Sequence, residues 1–157
     1  MRTLIAAVAV VALAAITSSP MVAMSQGGGR EEFTVKSPDS KVQETEVDVD
    51  GDGETDSIGD QFIGTAPVFR RGDKAGSERH ICTLLKAGRV FLTRCEGTFN
   101  IAGRGSLEVS GVLKFTRQGE AATFTVTGGT AEFRGVSGTM QFGTTRNATI
   151  YTFKLSR

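Results

Sequence analysis

Apolar and polar residues alternate along most of this chain, in short segments separated by turn-forming residues. In the segment 107–117, for example, the odd positions are mostly apolar while positions 108, 110 and 114 are polar. A period of two is typical of a half-buried β-strand, and no window after the first 25 residues has a helical period. Eight strands are predicted, at Val42–Val49, Ile58–Arg70, Ser77–Lys86, Arg89–Asn100, Leu107–Arg117, Ala121–Thr127, Val136–Gly143 and Ala148–Leu155.

Regular strands with turns between them predict an all-β fold, either a sandwich or a barrel. Gly64, Gly97 and Gly111 fall inside strand patterns, where a small barrel needs sharp bends or room for a ligand. About eight strands close a barrel whose interior is filled by side chains or holds one small ligand. The pattern therefore leaves a sandwich and a closed barrel of about eight strands as the two candidate architectures.

The first residues have the features of a secretory signal peptide, since Arg2 precedes the apolar run Leu4–Ile16 and small residues follow. The run is shorter than the roughly 18 apolar residues of a membrane span. Residues 26–41 begin Gly-rich and charged, with one short edge strand predicted at Phe33–Lys36. We expect a signal peptide over 1–25, a flexible segment over 26–41 and the barrel over 42–157, in a secreted protein without a membrane anchor after cleavage.

Charge is segregated along the chain. Residues 30–60 hold eleven acids and three bases, whereas residues 61–157 hold six acids and fourteen bases. The bases of the second part stand singly along strands, and the chain has no Trp and one Tyr for stacking on nucleic-acid bases. Nucleic acid is therefore not an expected partner.

The two cysteines, Cys82 and Cys95, stand on either side of a predicted turn at 86–89. In a secreted chain a lone pair of cysteines usually forms a disulfide. A hairpin folded at this turn would place the two on neighbouring strands, and such a bridge would contribute about 3 kcal/mol to stability.

A glycine-rich corner, V-T-G-G-T-A-E-F-R-G-V-S-G at 126–138, joins two apolar runs. It resembles the corner of the allene oxide cyclase barrel and of the related dirigent proteins. Other landmarks follow the order of that family from about Glu46 to the C-terminus. They are Ile58-Gly-Asp60, Arg70-Arg-Gly-Asp73, the strand from Gly76 to Cys82, the strand Gly105–Gly111, and the closing Tyr151-Thr-Phe153-Lys-Leu155.

The resemblance implies an antiparallel, closed, calycin-like β-barrel of about eight strands. It further implies that this barrel binds a small apolar molecule and steers a cyclisation or isomerisation by confinement, with homodimers or homotrimers among its relatives. It implies that Glu46 and Asp48 are catalytic polar groups of raised pKa, because they match a cavity-lining Glu-x-Asn pair of the cyclases. An outward-facing or loop position is the alternative for both carboxylates. The expected ligand-cavity wall consists of Phe62, Leu113, Phe124 and Tyr151.

Two departures from the family argue against allene oxide cyclisation itself. Cys82 matches an unpaired cavity cysteine of that family, whereas here Cys95 offers it a disulfide partner. The family's proline between the first two strands has no counterpart in 53–57. A non-catalytic extracellular binding or structural barrel is therefore the second hypothesis. The only histidine, His80, is interpreted as a strand-surface residue.

An acidic stretch, D-V-D-G-D-G-E-T-D at 48–56, has the ligand spacing of a calcium loop, with Asp48, Asp50, Asp52 and Asp56 as candidate ligands. The twelfth position is Gly59, where a bidentate Glu normally stands, and Asp60 or Glu54 would have to replace it. The alternative is a solvated acidic loop whose Asp-Gly pairs form turns. No other cofactor is expected.

Overall fold

The computed structural model describes residues 29–54, 56–88, 90–116 and 119–157, except for the side chains of 115, 116 and 119–121. The expected signal peptide lies outside these residues. In the described part of the chain no helix is long and apolar enough to cross a membrane. The strands are β1 (Arg30–Pro38), β2 (Gln43–Val47), β3 (Gln61–Arg70), β4 (Asp73–Lys86), β5 (Phe91–Ile101), β6 (Gly105–Thr116), β7 (Gly119–Gly129), β8 (Ser137–Thr144) and β9 (Ala148–Ser156).

Eight of the strands form a closed antiparallel barrel, as predicted, and β2 is an additional strand. Consecutive strands from β3 to β9 pair with each other, and β9 pairs with β1. The pairing of Lys36 with Phe69 joins β1 to β3 and closes the barrel. β2 extends along the other half of β3, from Gln43 opposite Thr65 to Val47 opposite Gln61.

The strand that closes the barrel differs from the one expected. Residues 26–41 were expected to be a flexible segment with one short edge strand at Phe33–Lys36, and the barrel was expected to start at 42. Arg30–Pro38 is instead a strand paired with β9 over its whole length. Phe33, Val35 and Ser37 are buried on its inner face. The burial of these residues stabilises the strand although its first three residues are charged. β2 is the polar run Q-E-T-E-V, and none of its residues is buried.

Side chains fill one end of the barrel. Phe153 stacks against Phe33 with 5.0 Å between ring centroids and meets Phe99 edge-on at 5.0 Å. Phe133, from a short 3-10 turn in the glycine-rich corner, is fully buried against this group. The other core residues of this end are Val35, Val68, Ile101, Leu107, Val126, Val136 and Leu155. The aromatic packing leaves the opposite half of the interior open.

The glycine-rich corner seals the filled end. Gly129 has no space for a side chain, because a Cβ atom there would stand 2.6 Å from the carbonyl oxygen of Phe133. The guanidinium of Arg104 lies 4.6 Å from the centroid of the Phe133 ring and forms two hydrogen bonds with Glu31 on β1. Arg104 also donates to Glu132, so one side chain ties β1 to the corner.

Candidate functional site

A cavity of about 490 Å³ occupies the half of the barrel that the core leaves open. Its wall is mainly apolar and draws on strands from all round the barrel. The lining residues are Val42, Glu44, Phe62, Glu78, His80, Cys82, Leu84, Phe91, Thr93, Cys95, Glu96, Gly97, Phe99, Val109, Leu113, Phe124, Met140, Phe142, Thr149 and Tyr151. A space of this size matches typical small-molecule sites, which measure roughly 300–1,000 Å³.

The structure places all four predicted wall residues, Phe62, Leu113, Phe124 and Tyr151, in this lining. Tyr151 packs edge-on against Phe99 with 4.8 Å between ring centroids, and the pair separates the cavity from the filled end. Burial raises the pKa of the Tyr151 hydroxyl, and the nearby charge of Glu78 adds to this, so the phenol stays neutral.

The predicted disulfide joins Cys82 on β4 to Cys95 on β5. The two residues lie directly opposite each other in the ladder, with 4.0 Å between their Cα atoms. Both line the cavity, so the bridge is part of its wall. Because the sulfurs are bonded to each other, neither is available as a thiol nucleophile.

Three polar side chains meet at one side of the cavity. Nδ1 of His80 lies 3.0 Å from Oε2 of Glu78, and Nε2 lies 3.8 Å from Oε2 of Glu44. Glu78 and His80 are two apart on β4 and therefore point to the same face. Glu44 is on β2, and Gly64 of β3 stands between it and His80 in the ladder.

The two carboxylates set the protonation of the imidazole. Burial lowers the pKa of His80, but the hydrogen bond and charge of Glu78, together with those of Glu44, outweigh it, so the net shift is upward. Glu78 is 2% exposed, and its second oxygen, Oε1, has no hydrogen-bond partner in the part of the chain that the structure describes. A carboxylate and an imidazole in contact can pass a proton to or from a bound molecule.

The predicted catalytic carboxylates lie elsewhere. Glu46 is exposed on β2, opposite Phe62, and is not in the cavity lining. Asp48 follows the strand and accepts hydrogen bonds from the backbone N–H groups of Gly51 and Gly53. These bonds lower the pKa of Asp48, which corrects the expectation of a raised one.

Two of the four predicted calcium ligands come together. The carboxylate oxygens of Asp48, Asp50 and Asp60 lie within 4.8 Å of one another, so Asp60 rather than Glu54 is the third member of this cluster. Asp52 instead accepts hydrogen bonds from the N–H of Glu54 and the hydroxyl of Ser57. Backbone donors already engage Asp60, whose two oxygens accept from the N–H groups of 49 and 57.

Glu44, Glu78, Thr93 and the inward position of His80 were not among the predicted site features. The available signal was strand parity, because 78 and 80 share the face of Cys82, which was expected to face the lumen. His80 was interpreted as a surface residue, and the structure corrects this. Its ring is accommodated because Gly64 has no side chain.

Comparisons with known proteins support the fold. No protein-family model and no curated protein sequence matches the chain. Among solved structures, a pyocyanin demethylase is similar with a TM-score of 0.64 and 21% identity, over 80% of this chain and 99% of that one. A pterocarpan synthase dirigent protein is similar with a TM-score of 0.58 and 14% identity, over 93% and 99% of the two chains.

A heme-binding cyclase that catalyses a cycloaddition in neoabyssomicin biosynthesis also has this fold, with a TM-score of 0.63 and 12% identity. The match covers 82% of this chain and 64% of the cyclase. At such identities the likeness shows the fold and leaves activity open. The chain is thus a closed β-barrel with an internal ligand-sized cavity. Its fold is the allene oxide cyclase/dirigent-like barrel, as the sequence landmarks predicted.

Proposed function

We propose that this protein is a secreted barrel that binds a small, largely apolar molecule and directs its cyclisation or isomerisation by confinement. The observation that carries the proposal is the cavity of about 490 Å³, whose mainly apolar wall includes a carboxylate–imidazole pair at one side. A purely structural barrel would gain stability by filling this volume with its own side chains.

Confinement is itself a catalytic device. Holding a flexible molecule near its reactive geometry and excluding water can remove several kcal/mol from a barrier. The aromatic floor of Phe99 and Tyr151 would pack against an apolar ligand, while Glu78 and His80 would hold or move a proton at its polar end. The similar cyclase and dirigent folds support a reaction of this type.

Native mass spectrometry of the secreted protein, with and without EDTA, tests this proposal. We expect a co-purified small molecule that organic solvent releases, and the same spectrum reports any metal and the number of subunits. Protein that binds neither an endogenous molecule nor an added apolar dye such as Nile red would contradict the proposal.

A matched pair of substitutions on β6 locates the binding. Leu113 faces the cavity and is 4% exposed, whereas its neighbour Val112 faces outward and is 51% exposed. Leu113→Trp should fill the cavity and abolish dye binding, while Val112→Trp should leave it unchanged. Circular dichroism of both variants separates lost binding from lost folding, since overpacking a core costs about 1–3 kcal/mol.

A further inference from the structure

One oxygen in the cavity wall has an unmet hydrogen-bonding capacity. Oε2 of Glu78 is engaged by Nδ1 of His80 at 3.0 Å, but Oε1 is buried and has no hydrogen-bond partner among the described residues. A buried carboxylate oxygen that accepts no hydrogen bond loses its hydration without compensation. Because Glu78 lines the ligand-sized cavity, this oxygen indicates where the donor of a ligand belongs.

The charges around this oxygen favour a positively charged or neutral donor. Among the described lining residues there is no Lys or Arg, and His80 is the only base. The imidazole already faces two carboxylates, those of Glu78 and Glu44. Even with the imidazole protonated, the group of three side chains keeps one net negative charge when both carboxylates are ionised.

The rest of the wall contributes surface rather than charge. Phe62, Phe99, Phe124 and Phe142 are aromatic, and the disulfide adds two further apolar atoms. An apolar ring system would therefore contact most of the lining while only one of its ends met the polar group. The lining therefore suits a mostly apolar ligand that carries a single hydrogen-bond donor at one end.

We propose that the cavity selects an apolar molecule carrying a protonated nitrogen or, less strongly, a hydroxyl, and places that donor against Oε1 of Glu78. This inference rests on the proposed function. A ligand with a carboxylate in the same place is rejected, because it would leave Oε1 unpaired and bring a second negative charge beside it. Specificity thus comes from a buried acceptor, which discriminates strongly against ligands that cannot satisfy it.

Three probes with one apolar body test the proposal: 2-naphthylmethylamine, 2-naphthalenemethanol and 2-naphthoate. Each is titrated into the intact protein at neutral pH and followed by naphthalene fluorescence or calorimetry. We expect the amine to bind about tenfold or more tighter than the carboxylate, with the alcohol between them, since a hydrogen bond to a charged group gains at least that factor.

Glu78→Gln keeps the size of the side chain and removes its charge, so it should cut the preference for the amine to about threefold or less. Glu96→Gln is the matched control, because Glu96 borders the same cavity but its side chain is 68% exposed. This control should preserve the order of the three probes. An equal change in both variants would overturn the assignment to Glu78.

The outcomes separate the two proposals. If 2-naphthoate binds as tightly as the amine, the inference about Glu78 is wrong while the proposed binding function stands. If none of the three binds up to its solubility limit, both proposals fail. If Glu78→Gln does not fold, the order of affinities of the three probes for the unchanged protein still tests the inference about Glu78.

Discussion

Gly64 on β3 lies directly opposite His80 on β4, and a Cβ atom at position 64 would overlap Cε1 and Nε2 of the imidazole. The absent side chain lets the ring lie over β3 and reach Glu44 on the far side of that strand, with 3.8 Å between Nε2 and Oε2. A glycine inside a strand pattern thus creates a polar site from two strands that are not neighbours.

We predict that Gly64→Ala displaces the imidazole and separates it from Glu44. The raised pKa of His80 should then fall, because the charge of Glu44 no longer supports the protonated ring. His80 is the only histidine, so a proton NMR titration follows one unambiguous ring signal. The strain of the added methyl group should cost about 1–3 kcal/mol of stability.

Gly143→Ala on β8 is the control for this substitution. No described side chain or backbone atom lies within 4 Å of a Cβ atom built at Gly143, so we expect the same change there to cause little strain. It should leave the His80 titration where it is and change stability by about 0.5 kcal/mol or less. Identical titration curves for Gly64→Ala and the parent protein would contradict the proposed role of Gly64.

We predict that the protein is less stable at pH 8.5 than at pH 6. The pKa of His80 is raised above its ordinary value of 6.5, so the folded state holds the proton more tightly than the unfolded chain. The resulting stabilisation is complete below about pH 6.5 and is lost as the pH rises through the folded pKa. The melting temperature should therefore fall across this window.

His80→Gln removes the titrating group, so the melting temperature of this variant should depend less on pH. The two cysteines are in the disulfide and there is no second histidine, so few other side chains titrate in this range. A melting temperature that falls equally in His80→Gln and in the parent protein would assign the effect to another group.

We predict that the double variant Cys82→Ala, Cys95→Ala loses about 3 kcal/mol of unfolding free energy, because the bridge restricts a loop of 13 residues in the unfolded chain. Urea denaturation measures the loss. Adding dithiothreitol should weaken the parent protein toward the double variant and leave the variant itself unchanged. Equal midpoints for all four samples would show that the bridge contributes no stability.

We predict that Asp60→Ala costs about 2 kcal/mol or more, with or without calcium. The side chain is fully buried, and its two oxygens accept the N–H groups of Val49 and Ser57, which the substitution would leave unpaired. Asp56→Ala, at an exposed position, is the control. Thermal melts in EDTA and in calcium chloride measure both effects.

The same melts test the calcium hypothesis for the acidic loop. We expect EDTA to change the melting temperature of the parent protein little, because backbone donors already organise the carboxylates of Asp48 and Asp60. A rise of several degrees in millimolar calcium would instead show binding to the cluster of Asp48, Asp50 and Asp60.

Much of the cavity wall could be predicted from local pattern. Strand parity grouped Leu113 with the apolar face of its strand, and a hairpin alone brought Cys82 opposite Cys95. The catalytic expectation for Glu46 and Asp48 came from the resemblance to a Glu-x-Asn pair, and it required a position that faces the cavity. The position of these two side chains depends on how β2 pairs with β3, and the sequence pattern of β2 alone does not indicate that pairing.

The alternation of this sequence determined an all-β chain, the inward face of most strands and the one disulfide, because these follow from a period of two and from contacts within a hairpin. The tertiary structure alone decided that β1 closes the barrel, that aromatic rings fill only one half, and that His80 meets Glu44 across Gly64. These features depend on the register between strands distant in sequence, and register is fixed only when the whole sheet closes.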